Sequence, residues 1–113
     1  MADPTGWGGC SSGYPLSMHI VTLTYVAGLA EIDAAISDHV AWLDGNYADG
    51  AFIASGRQEP RVGGVIFTDG ITRQDLDKRL ALDPFNKRGL AEYTVVTFNP
   101  SRTAPGLERL IAR

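Results

Sequence analysis

Residues 32–43 read Ile-Asp-Ala-Ala-Ile-Ser-Asp-His-Val-Ala-Trp-Leu, and residues 49–56 read Asp-Gly-Ala-Phe-Ile-Ala-Ser-Gly. In the first stretch and just beyond it, Ile32, Ile36, Leu43 and Tyr47 recur at intervals of four and seven, which stacks them on one face of a helix packed against a core. His39 falls beside that stripe. In the second stretch the apolar run Ala51 to Ser55, closed by Gly56, reads as a short strand. The connection between the two is short, so a helix from about Glu31 to Asn46 lies back on a sheet as a crossover or return layer.

Upstream, His19 to Tyr25 is rich in β-branched residues and alternates Val21, Leu23 and Tyr25 against Ile20, Thr22 and Thr24, the pattern of a strand. Downstream, Arg57 to Gly63 is polar, contains Pro60 and fits a loop, and Gly64 to Thr68 is a third strand. Thr72-Arg-Gln-Asp75 resembles a capping box that opens a second helix with Leu76 and Leu80 toward the core. Asp83, Pro84 and Gly89 supply the cap, first position and terminator of a single helical turn. Glu92 to Phe98 alternates Tyr93, Val95 and Thr97 against Thr94, Val96 and Phe98 as the fourth strand.

The resulting order, β-α-β-β-α-β, is the ferredoxin-like α+β pattern, a four-stranded antiparallel sheet with its helices on one face. Ile20, Val96 and Phe98 make the other face apolar too, which calls for a second subunit to cover it. The domain spans 18–102. Residues 1–17 read as an irregular extension, and 103–113 as a tail in which Leu107, Leu110 and Ile111 have the spacing of a short docking helix.

At 113 residues, 44% hydrophobic and 20% charged, the chain fits one ordinary globular domain. No apolar run is long enough to span a bilayer. One cysteine, Cys10, allows no internal disulfide, so the cytoplasm is the expected compartment. A net charge of −3 argues against nucleic acid, whose binding depends on clustered Lys and Arg. None of the basic residues precedes Arg57, whereas Glu31, Asp33, Asp38, Asp44 and Asp49 give the first helix an acidic, solvated outer face.

Few residues can do chemistry. His39 on its helix is suited to general acid/base work, since imidazole exchanges its proton near neutral pH. Asp83 reads locally as a helix cap, and as an orienting partner for His39 only if the two meet in space. Arg57 and Arg61 flank the loop after the second strand, where a guanidinium can hold a carboxylate or phenolate. Ser55 can donate a hydrogen bond but has no adjacent base to make it a nucleophile. His19 reads as a surface residue, and Trp42 and Tyr47 as core or interface packing. No set of ligands at metal spacing is present, and nothing calls for a cofactor.

The ordered set His39-Val-Ala-Trp-Leu43, Gly50-Ala-Phe-Ile-Ala-Ser-Gly56, Gly63-Gly64, Asp83-Pro84-Phe85, Gly89-Leu90, Tyr93 and Phe98 resembles the YciI-like family. That resemblance implies a dimeric α+β barrel, in which two ferredoxin-like sheets pack face to face, related to muconolactone-isomerase-like proteins. It also implies a His-Asp pair in a cleft, carried over to His39 and Asp83, and elimination, isomerisation or dehydrochlorination of a small cyclic oxygenated substrate without a cofactor. Where such proteins commonly have Gly-Pro after the second strand, this chain has Gly56-Arg57, which adds a charge near the cleft. The expected partners are a second copy of the chain and a small molecule. The alternative is a non-catalytic dimeric module that binds a small ligand or a partner protein; a cofactor-independent monooxygenase is a third reading, by fold analogy alone.

Overall fold

β-branched residues and inward alternation form the first strand, β1 (Met18–Tyr25), with Val21 and Leu23 buried. A computed structural model describes residues 17–111. β1 is followed by α1 (Leu29–Ala48), β2 (Phe52–Arg57), β3 (Gly63–Thr68), α2 (Arg73–Ala81), α3 (Pro84–Lys87) and β4 (Ala91–Phe98). The strands are antiparallel and ordered β2-β3-β1-β4, the ferredoxin-like arrangement. The irregular leader expected over 1–17 falls almost wholly outside the described residues. The tail contributes one 3₁₀ turn, Glu108–Leu110, with Leu110 buried and Leu107 and Ile111 exposed.

α1 is longer than its periodicity indicates, and its core-facing stripe shares only Ile32 and Leu43 with the expected one. Ile32, Ala35, His39 and Asn46 are its buried residues, with Trp42 packed against the core. Ile36 and Tyr47, expected in the core, are 37% and 39% exposed. His39 therefore lies within the buried face of α1 rather than beside it.

Local chemistry explains the element ends. Thr72 accepts a hydrogen bond from Asp75 N–H at 3.0 Å, as half of a capping box; the Asp75 carboxylate binds Arg79 instead of returning to Thr72. Asp83 caps α3 by accepting from Phe85 N–H at 3.1 Å, and Gly89 leaves that turn at φ 68°, a region that favours glycine. Gly63 lets β3 approach β1: a Cβ there would sit 1.7 Å from the Leu23 carbonyl oxygen.

The core between sheet and helices gathers Val21, Leu23, Ile32, Phe52, Leu76 and Phe85. The sheet's other face exposes Phe67, Val96 and Phe98. The acidic face of α1 is partly neutralised, because Arg61, Arg88 and Arg79 pair with Asp33, Asp38 and Asp49. Among the described residues no helix is long and apolar enough to cross a membrane.

Candidate active site

His39 projects from the inner face of α1 toward the start of α3, and Asp83 caps that short helix from within the core. The two meet: His39 Nδ1 lies 2.7 Å from Asp83 Oδ1. The expected cap is present as well, since the same oxygen accepts from Phe85 N–H. Its second oxygen accepts the Tyr93 hydroxyl at 2.5 Å. The carboxylate is fully buried and has donors on both oxygens, which is what keeps a desolvated charge tolerable.

Tyr93, the third member of this cluster, was passed over as a chemical group by the sequence reading. Alternation in β4 places it on the helix side, but nothing local links it to Asp83 across the intervening turn. Burial, and then the bond to Asp83, push its phenol well above the ordinary range. It stays protonated and donates.

With Nδ1 bonded to a carboxylate, Nδ1 carries the proton donated to Asp83, and in the neutral ring Nε2 then presents a lone pair. Among the described residues Nε2 has no hydrogen-bond partner. The ring stacks on Phe85, with centroids 4.1 Å apart and planes 4° from parallel, and lies 5.5 Å from Trp42. Trp42 is fixed by its own N–H to the Arg79 carbonyl at 3.0 Å. His39 is thus held on two sides and by one bond.

His39 lines a cleft of about 180 Å³ between α1 and the β2–β3 side of the sheet. Ile36, Val40 and Leu43 of α1 form one wall; Leu23, Ile66 and Phe85 contribute further apolar surface. Ile36, exposed rather than buried in the core, belongs to this wall. Ser55 and Arg57 line it as well, so His39, Ser55 and Arg57 share one cavity while Asp83 stands behind His39. Arg57 belongs to β2 rather than to the loop in which its polar surroundings place it; Arg61 pairs with Asp33 away from the cleft lining.

His19, read as a surface residue, is buried, because β1 is a central strand and not an edge. Its Nε2 donates to the Ile71 carbonyl at 3.1 Å, which leaves Nδ1 to accept from the Thr97 hydroxyl at 2.9 Å. Burial lowers its pKa. It joins β1, β4 and the segment before α2, and does not enter the cleft. Among the described residues no group of His, Cys, Asp and Glu is arranged to hold a metal.

Several solved structures share this fold. 5-Chloro-2-hydroxyhydroquinone dehydrochlorinase (TftG) from Burkholderia phenoliruptrix, in complex with 2,5-dihydroxybenzoquinone, overlays with a TM-score of 0.61 at 16% identity, over 79% of this chain and 95% of that one. SnoaB, a cofactor-independent oxygenase from Streptomyces nogalater, overlays more loosely, with a TM-score of 0.49 at 16% identity over 80% of this chain and 98% of that one. At such identities the likeness concerns the fold alone. No curated protein sequence is similar enough to count as a relative. The YCII-related domain model matches residues 18–99, from the first residue of β1 to just past the end of β4. With its His-Asp pair set behind an apolar cleft on a ferredoxin-like sheet, this chain belongs to the YCII-related domain family.

Proposed function

We propose that this protein is a cofactor-independent enzyme acting on a small cyclic oxygenated molecule, with His39 as general acid and base and Asp83 as the group that orients it. One observation carries the reading: a single imidazole, bonded through Nδ1 to a fully buried carboxylate, lines an apolar cleft. Nε2 takes a proton from a substrate O–H or C–H, and the imidazolium formed is stabilised by the Asp83 carboxylate. Returning the proton at another position isomerises the substrate; departure of a leaving group with its bonding electron pair completes an elimination. The aliphatic walls exclude water and strengthen each electrostatic contact.

Arg57, a cation on the cleft wall, and Ser55, a hydroxyl donor, serve as substrate-binding groups. A non-catalytic module has no need of a histidine oriented by a buried carboxylate and open to a cavity, and this favours the enzyme. The helix-free sheet face, with Val96 56% exposed and Phe67 and Phe98 each 37% exposed, is the surface through which two copies pair as a homodimer.

TftG is named for its action on 5-chloro-2-hydroxyhydroquinone, so that compound and a panel of small enolisable ketones and lactones are the substrates to test. Chloride release and solvent-deuterium uptake report elimination and proton transfer. His39→Asn is the appropriate variant, because an Asn amide can still donate to Asp83 while lacking the Nε2 base. Turnover by the wild type should fall by roughly 10²–10⁴-fold in His39→Asn. Undiminished turnover in that variant would overturn the assignment.

A further inference from the structure

The pairing of β2 with β3 slips between Phe52 and Ala54, accommodating one extra residue. Phe52 pairs with Thr68 and faces the core. Strict alternation from there would turn Ala54 and Gly56 inward and send Ser55 and Arg57 to the helix-free face. The bulge reverses this. Ser55 pairs with Ile66 and Arg57 with Gly64, which in turn pair with Val21 and Leu23 on the helix side. Two polar residues are thereby aimed into the cleft, the kind of redirection β-bulges produce beside binding sites.

The Ser55 hydroxyl lies 2.6 Å from the Tyr47 phenol oxygen, joining the far end of α1 to β2. Two hydroxyls hold two hydrogens, and one closes the pair. Either hydroxyl can donate across the pair; with the phenol as donor, the serine hydrogen is left for an outside acceptor and is polarised by the bond its oxygen receives. Arg57 has no carboxylate partner among the described residues, whereas Arg61, Arg73, Arg79 and Arg88 are each held by aspartate. Among the described residues no acidic one lines the cleft. Tyr47 sits eight residues beyond His39 on the same helix, about 12 Å along its axis.

We propose that Tyr47, Ser55 and Arg57 form an oxyanion-binding site, selecting molecules that carry a phenolate, enolate or carboxylate oxygen on an apolar body. Ser55 and Arg57 contact the oxygen; Tyr47 is a positioning residue that acts through Ser55. This rests on the cleft being the substrate site. It adds that the anionic end is anchored away from His39, so that the acidic O–H or C–H is presented to Nε2, and that charge released onto the oxygen during proton removal meets preorganised donors.

The test is calorimetric titration of the full chain with 4-nitrophenol, at a pH where it is the phenolate, and with nitrobenzene as its neutral counterpart. The wild type should bind the phenolate at least about tenfold more tightly, the scale of one charge-assisted hydrogen bond. Tyr47→Phe and Ser55→Ala should each remove about tenfold of the phenolate affinity, and the double variant no more than either, because the pair acts as one unit. Arg57→Gln should weaken the phenolate separately, and nitrobenzene should be indifferent to all of them. A wild type with no preference for the anion, or a Tyr47→Phe variant that keeps the preference, overturns the site. His39→Asn should retain it, so a failure of the catalytic reading and a failure of this one give different results.

Discussion

Replacing Asp83 with alanine removes the acceptor of three donors at once: His39 Nδ1–H, Phe85 N–H and the Tyr93 hydroxyl. A buried donor left unpaired costs about 1–3 kcal/mol. The three do not suffer equally. The Tyr93 hydroxyl can rotate, and His39 borders the cleft and can take up water, so each falls at the low end. Phe85 N–H, in the first turn of a helix under a buried side chain, bears a fuller cost, equivalent to losing a helix cap. Relief of the carboxylate's own desolvation offsets part of the total. The net is about 3 kcal/mol, a fall in Tm on the order of 10–20 °C for a domain of this size. Tyr93→Phe deletes one charge-assisted bond and keeps the packing, so it should cost about 1–2 kcal/mol by the same measure. Scanning calorimetry of the two variants beside the wild type reads both. An Asp83→Ala protein melting within a few degrees of the wild type, or a Tyr93→Phe protein melting as low as Asp83→Ala, would refute the role of Asp83 as the shared acceptor.

Three further outcomes are expected. His19 has a pKa lowered from 6.5 by burial, so the unfolded chain takes up the proton first; its contribution to stability is complete above that pH and is lost as pH falls from 6.5 toward the lower native value. Denaturation midpoints between roughly pH 8 and 5 should show this loss, and His19→Gln should flatten it; an equal slope in the variant would count against the assignment. Gly63→Ala would drive a Cβ to 1.7 Å from the Leu23 carbonyl oxygen, costing on the order of 3 kcal/mol or more, whereas Gly45→Ala on α1, with open space around its Cβ, should raise stability by about 1 kcal/mol; similar melting of the two variants would contradict the packing described. Sedimentation should find the wild type dimeric and Val96→Arg monomeric, and a monomeric wild type would remove the sheet face as an interface.

The strand order and helix positions were legible because alternation in β1 and β4 and the caps at Thr72 and Asp83 are local signals. The core face of α1 was not. Two apolar lines run along that helix, and hydropathy favours Ile36 and Tyr47 over the smaller or polar Ala35, His39 and Asn46. A cleft wall and a core wall are equally apolar, and only the fold decides which is covered. His19 was misplaced because exposure depends on sheet order, to which a single strand gives no clue. The pairing of His39 with Asp83 came from the family resemblance, since the residues stand far apart in the chain. Tyr93 and the β2 bulge had weaker signals still: an inward position on a strand, and a run, Phe-Ile-Ala-Ser, in which either parity is plausible from its residues.

The most direct measurement is a long-range ¹H–¹⁵N spectrum of the His39 ring at a pH where it is neutral, recorded with and without 4-nitrophenol. The proton should be on Nδ1, held by Asp83, with Nε2 bare and its resonance moved when the cleft is filled. A ring protonated on Nε2, or an Nε2 signal indifferent to a bound ligand, would contradict the assignment of His39 as the base that faces the cleft.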